Sequence, residues 1–132
     1  MPTPPPTPPS LGYDGGLTLA AQCTNLDNAL AWYTDVLGFT VLYRLDDMGW
    51  AELATPVARV NMGLSQVEKP TVGAGPVPTW GVTDIDAARA ELEGKGVRFD
   101  GDTQTIPDMV RLATFFDPDG NALMLYQQLG DM

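Results

Sequence analysis

Any chemistry this chain performs must come from 17 Asp and Glu side chains, its lysines, four tyrosines and one cysteine, Cys23, because it contains no histidine. That absence removes the Ser-His-Asp triad, the Cys-His dyad, the His-ligated zinc site and the facial-triad iron site together. One cysteine forms no intrachain disulfide and no cysteine metal cluster. With no histidine to activate it, Cys23 reads as inert packing at the end of an apolar run. Asp117, Asp119 and Asn121 have the spacing of a calcium loop at first sight, but Pro118, Gly120 and the lack of a distal Glu make them a hairpin turn.

Two clusters remain. Asp46, Asp47 and Glu52 flank Trp50, which opens a strand after a turn. They read either as a solvated hairpin tip or as an acidic, cation-recognising rim beside an aromatic surface that could hold a flat or cationic molecule. The second is a run of small and hydroxyl-bearing residues, Thr18, Ala20 and Gln22, which strand alternation places on one sheet face.

The 132 residues carry a net charge of −10. Such a surface repels phosphate backbones and anionic lipid and attracts cations, so nucleic acid and acidic membranes are excluded as expected partners. No apolar run approaches the ~18 residues of a membrane span, and no basic region followed by an apolar stretch marks a signal peptide. The cytosol is the expected compartment.

The elements that must position these residues follow from periodicity. Gly16–Cys23 reads as a largely buried strand. Thr24 or Asn25 caps a helix whose face is Leu26, Ala29, Leu30, Tyr33, Val36 and Leu37, and Gly38 stops it. Phe39–Leu45, Trp50–Ala54 and Arg59–Leu64 read as strands. Pro78–Val82 is a strand, Thr83–Asp86 opens a second helix, and Val97–Phe99 begins another strand. Met109–Phe116 and Ala122–Gln127 pair across the polar turn at Asp117–Asn121. Six of the 12 prolines fall in Met1–Ser10, a segment in extended polyproline geometry that is either a free tail or an arm on a partner.

The two halves repeat: Thr24-Asn25-Leu26-Asp27-Asn28-Ala29 matches Thr83-Asp84-Ile85-Asp86-Ala87-Ala88, 59 positions on. A unit of this size buries a sheet face poorly alone, so two modules are expected to curve together with their helices outside. The chain divides into a proline-rich arm (residues 1–10), a first βαβββ module (11–68), a linker (69–76) and a second module (77–132).

Two motifs carry a family resemblance. Asn25-Leu26-Asp27-Asn28-Ala29-Leu30-Ala31-Trp32-Tyr33-Thr34-Asp35-Val36-Leu37-Gly38-Phe39 resembles the D-L-x-x-S-x-x-F-Y-x-x-x-L-G-F helix of the glyoxalase, bleomycin-resistance and dioxygenase group, the vicinal oxygen chelate superfamily. Phe116-Asp117-Pro118-Asp119-Gly120-Asn121-Ala122-Leu123-Met124-Leu125 resembles its D-P-D-G-N-x-x-E-L strand entry. The resemblance spans about residues 15–128 and implies an α+β fold of two tandem βαβββ modules forming a half-open barrel. It also implies a divalent metal in the cup, held by His and Glu. Here those positions read Thr18, Val77 and Met124, with Asn61 as the only oxygen donor near the fourth. No metal, no cofactor and no catalytic residue is therefore expected.

What remains is the metal-free branch, which resembles bleomycin-type antibiotic-binding proteins: small, acidic homodimers that sequester drug. The resemblance implies that the face of Thr18 lines the cup, and alternation puts Met124 and Tyr126 inward on the last strand. The ligand-binding set expected from the sequence is Trp50, Thr18, Gln22, Asn61, Met124, Tyr126, Asp46 and Asp47, holding a cationic or aromatic small molecule of antibiotic type. The alternative is a lyase, isomerase or transferase of the same fold with a non-standard site. Trp32 and Trp80 are expected in the core, and which of Phe115 and Phe116 faces the groove stays open.

Overall fold

In the computed structural model, which describes residues 12–130, each half of the chain runs strand, helix, three strands. The first contributes β1 (Leu17–Cys23), α1 (Leu26–Asp35), β2 (Thr40–Leu45), β3 (Trp50–Ala54) and β4 (Val60–Gln66), with a short 3₁₀ turn at Asp46–Met48. The second contributes β5 (Thr79–Gly81), α2 (Ile85–Gly94), β6 (Gln104–Ile106), β7 (Val110–Phe116) and β8 (Ala122–Gln128). The sheets have the orders β1-β4-β3-β2 and β5-β8-β7-β6, with the first pair in each parallel and the rest antiparallel. Neither sheet closes into a barrel.

Both helices start as polar caps dictate. Asn25 and Asp84 accept hydrogen bonds from the backbone N–H of Asn28 and Ala87 (2.9 and 3.1 Å), satisfying donors that the first turn leaves free. Asn25, not Thr24, is the cap of α1. Each helix lays its apolar stripe on its own sheet. Leu26, Ala29, Leu30 and Tyr33 of α1, and Ile85 and Leu92 of α2, are buried. They join Ala51, Leu53, Met62 and Leu64 of the first sheet and Ala113, Phe115, Leu123 and Leu125 of the second in one core running through both halves. Trp32, Phe39 and Trp80 stitch the halves together. Trp32 stacks 6.5 Å from Phe115, and Phe39 meets Trp80 edge-on at 5.4 Å.

Two sequence expectations change, and one open question closes. Gly16–Cys23 is not largely buried: Thr18 and Ala20 are exposed because the helix covers only one face of the sheet, and Leu17, on the other face, is exposed at the start of the strand. The strand expected to begin at Val97 is reduced to a single bridge between Phe99 and Phe115, since Asp100-Gly101-Asp102 turns the chain away and pairing resumes only at Gln104. Phe115 belongs to the core, and Phe116 takes the opposite face under the guanidinium of Arg98, 4.4 Å from its ring. The proline-rich arm expected over residues 1–10 lies outside the described residues.

Candidate functional site

Strand register decides which side chains share the open face of the first sheet. Thr18 pairs with Asn61 and Asn61 with Ala54; Ala20 pairs with Gly63 and Gly63 with Glu52; Gln22 pairs with Ser65 and Ser65 with Trp50. Directly paired residues point the same way, so these three rows form one surface opposite the half-buried Leu19 and the buried Met62 and Leu53. Trp50 does not stand upright in its row. Its indole leans across β4, and a Cβ placed on Gly63 would run into the ring, so only glycine admits the ring there. The indole thus lies as a floor against the neighbouring row, where Glu52 projects.

Glu52 is held at both oxygens. Tyr43 Oη donates to Oε1 at 2.9 Å and Asn61 Nδ2 donates to Oε2 at 2.8 Å. The carboxylate keeps further acceptor capacity for a donor on a ligand. A flat aromatic surface beside an oriented negative charge can receive a planar cation by stacking and ion pairing.

A cavity of about 550 Å³ opens on the other flank of β1, between that strand, the linker around Thr71–Pro78, and Asn121–Leu123 at the start of β8. Thr18, Ala20 and Gln22 form one wall, and none of the lining residues is charged. The linker is tied to the wall where Thr71 N–H donates to Gln22 Oε1 at 2.7 Å.

The turn at the base of this cavity is built around Asp117, which is buried. Its Oδ1 accepts from the N–H groups of Asp119 and Asn121, both at 2.9 Å. Oδ2 accepts from Tyr33 Oη at 2.9 Å and Asn121 Nδ2 at 2.8 Å. Four donors on one carboxylate answer its desolvation and leave nothing for a cation. The turn also reaches the first half: Thr24 donates through N–H and Oγ1 to Asp119 Oδ1 (3.0 and 2.8 Å), and Asn121 Nδ2 donates to the Gln22 carbonyl at 2.8 Å. Burial, then the Asp117 charge, pushes the Tyr33 phenol well above its ordinary value. Burial, then Asp119 and Asp117, pushes the Cys23 thiol up to about 11. A thiol so buried and so protonated is a poor nucleophile.

The expected site residues separate into groups. Trp50, Thr18, Gln22 and Asn61 share the first sheet's open face. Met124 and Tyr126 take the equivalent face of the second sheet, outside the lining of the cavity, and Tyr126 lies over Gly81 much as Trp50 lies over Gly63. Of the expected residues, Thr18 and Gln22 line the cavity, and Trp50, Met124 and Tyr126 are not among its lining residues. Asp46 pairs with Arg44 (2.7 Å), which also holds Asp27 of α1 (2.8 Å), so its charge is turned toward a cation on the helix side. Asp47 stands next to it on the 3₁₀ turn with its side chain exposed. Sequence reasoning placed Glu52 in the acidic rim beside Trp50 without counting it in the ligand-binding set, and it left out Asn121. Asn121 carried only the signal of a turn.

The metal positions that the fold implies do not fit a divalent ion. Thr18, Asn61, Val77 and Met124 offer a hydroxyl, an amide already turned to Glu52, an alkyl group and a thioether, with no carboxylate or imidazole among them. Among the described residues, no three His, Cys, Asp or Glu side chains gather as a metal-holding group. No helix among the described residues is long and apolar enough to cross a membrane.

Two mixed four-stranded sheets of βαβββ connectivity, each backed by one helix, define the class of fold. The chain belongs to the Glyoxalase/Bleomycin resistance protein/Dioxygenase superfamily, whose family model matches residues 17–125. A superfamily member from Sphaerobacter thermophilus DSM 20745 superposes with a TM-score of 0.77 at 24% identity, over 89% of this chain and 100% of that one. TnmS3, an antibiotic binding protein from Streptomyces sp. CB03234, gives 0.72 at 26% identity, over 89% and 98%. TioX from Micromonospora sp. ML1 gives 0.68 at 20% identity, over 87% and 99%, and shows the fold alone. No curated protein matches the chain.

Proposed function

We propose that the protein is a metal-free binder of a planar aromatic cation, held on the open face of the first sheet, and that it sequesters a compound of antibiotic type. The observation that carries this reading is the Trp50 indole laid across Gly63 beside the doubly anchored carboxylate of Glu52. The net charge of −10 supports it by drawing cations to the surface. The similarity to an antibiotic binding protein at 26% identity supports the ligand class.

The test is a titration of the full chain with three acridines of one shape: 9-aminoacridine (a cation at neutral pH), acridine (neutral) and acridine-9-carboxylate (an anion). The cation should bind best and should lose affinity with added salt. Equal binding of all three, or preference for the anion, overturns the reading.

The working unit in this reading is a homodimer. Tyr43, Leu45 and Met48 at one end of the first sheet are 45, 45 and 74% exposed, and Ile106 and Met109 of the second half are 45 and 52% exposed. A second copy would cover apolar surface of this kind.

A further inference from the structure

Gln22 and Asn121 both line the cavity under the linker, and each spends only part of its amide on the protein. Gln22 Oε1 is taken by Thr71 N–H, which fixes the orientation of that amide and leaves Nε2 with no hydrogen-bond partner among the described residues. Asn121 Nδ2 is taken by the Gln22 carbonyl and by Asp117 Oδ2, which leaves Oδ1 in the same position. The 2.8 Å bond from Asn121 Nδ2 to the Gln22 carbonyl makes the two residues immediate neighbours although 99 positions separate them. A donor and an acceptor with no partner among the described residues therefore belong to two neighbouring residues of the lining, and the Gln22 amide is oriented by Thr71 of the linker. The Asp117 carboxylate polarises the Asn121 amide and strengthens Oδ1 as an acceptor.

The walls say what belongs there. The lining is without charge, and Ala20, Val72 and Pro76 supply apolar surface. A charged group entering this volume would find no counter-ion, and burying it unpaired is costly. A neutral molecule with one acceptor and one donor on a single edge meets both amides at once. That edge is a cis amide, the form a ring enforces.

We propose that this cavity is a second site, separate from the Trp50 surface, for a neutral planar lactam or imide whose N–H donates to Asn121 Oδ1 and whose carbonyl accepts from Gln22 Nε2. Trp50 is not part of the lining, so this site stands or falls apart from the aromatic-cation reading.

The experiment titrates the full chain with quinolin-2-one and with N-methylquinolin-2-one, which keeps the shape and the carbonyl but loses the donor. Quinolin-2-one should bind, and its N-methyl analogue should bind about tenfold more weakly or worse, since Asn121 Oδ1 would be left facing a methyl group with no donor. Gln22→Glu retains the acceptor for Thr71 N–H and replaces the donor by a second acceptor; it should lose quinolin-2-one to a similar degree. Ala20→Phe fills the cavity from an exposed strand position, leaves both amides in place and should abolish binding. Trp50→Ala should leave it unchanged. No binding of quinolin-2-one, equal binding of the two lactams, or binding that survives both Gln22→Glu and Ala20→Phe overturns the proposal.

Discussion

Tyr33 on α1 reaches out of its own half of the molecule and donates a 2.9 Å hydrogen bond to Asp117 at the β7–β8 turn, both side chains being buried. Hydrogen bonds to a charged partner are worth about 1.5–3 kcal/mol. Tyr33→Phe keeps the packing of the ring and removes only this bond. The unfolding free energy in urea should fall by about that amount, with an unchanged m-value. A loss under about 0.5 kcal/mol would mean that the bond is replaced by solvent.

The same region sets the alkaline limit. Cys23, shifted from 9.0 to about 11, and Tyr33, shifted well above 10.0, are acids that the fold holds in their neutral forms. As pH rises past 9 and then 10, the unfolded chain gives up protons that the folded chain keeps. The unfolded state then binds fewer protons, so stability is full below pH 9 and declines above it. Chemical denaturation between pH 8 and 11 should show that decline, and Cys23→Ala should flatten its first part. A slope unchanged in Cys23→Ala would assign the whole effect to Tyr33 and its neighbours.

At the proposed aromatic site, Trp50→Ala should weaken 9-aminoacridine binding about 2- to 30-fold, the range given by cation–π energies of roughly 0.5–2 kcal/mol. Gly63→Ala should have a similar effect without touching the indole itself, because its Cβ would take the place of the ring. Glu52→Gln should weaken the cation more than Asp46→Asn does, since Asp46 is already paired with Arg44. If the Asp46 change dominates, recognition runs through the 3₁₀ turn instead.

Metal should be dispensable. Protein purified without chelator should contain no stoichiometric zinc, nickel, iron or manganese by elemental analysis, and EDTA should shift neither the melting temperature nor acridine binding. One tightly held transition metal per chain would reject the metal-free reading.

Light scattering at micromolar concentration should give the mass of a dimer, twice the 14.1 kDa chain. A monomer would reject the assembly. Deleting residues 2–9 should weaken self-association if the proline-rich arm lies on the partner, and an unchanged dissociation constant would reject that role of the arm alone.

Much was legible in the sequence because it is local. Asn25 and Asp84 mark helix starts through a bond three residues long. The apolar spacing from Leu26 to Tyr33 names the buried stripe of α1, and the internal repeat names the second copy of the unit. Alternation placed Thr18, Ala20 and Gln22 on one face and Trp80 on the other, since the side-chain period of a strand is two. Where alternation met a turn it misjudged the outcome, as at Val97–Phe99, where one glycine-centred bend redirects the chain.

By itself, then, the sequence determined the family fold, the starts of both helices, the absence of carboxylate and imidazole at the family's metal positions and the face that Thr18 shares with Ala20 and Gln22. Only the tertiary structure decided what those residues meet. That the indole lies on Gly63, that Glu52 is gripped from β2 and β4, and that Tyr126 lies over Gly81 depend on register and on which strands pair. The pairing of Gln22 with Asn121 joins residues 99 positions apart through one hydrogen bond. Periodicity reads the direction of a side chain from its neighbours along the chain; which distant group it faces is set by packing of the whole core, and that is a property no short stretch of sequence contains.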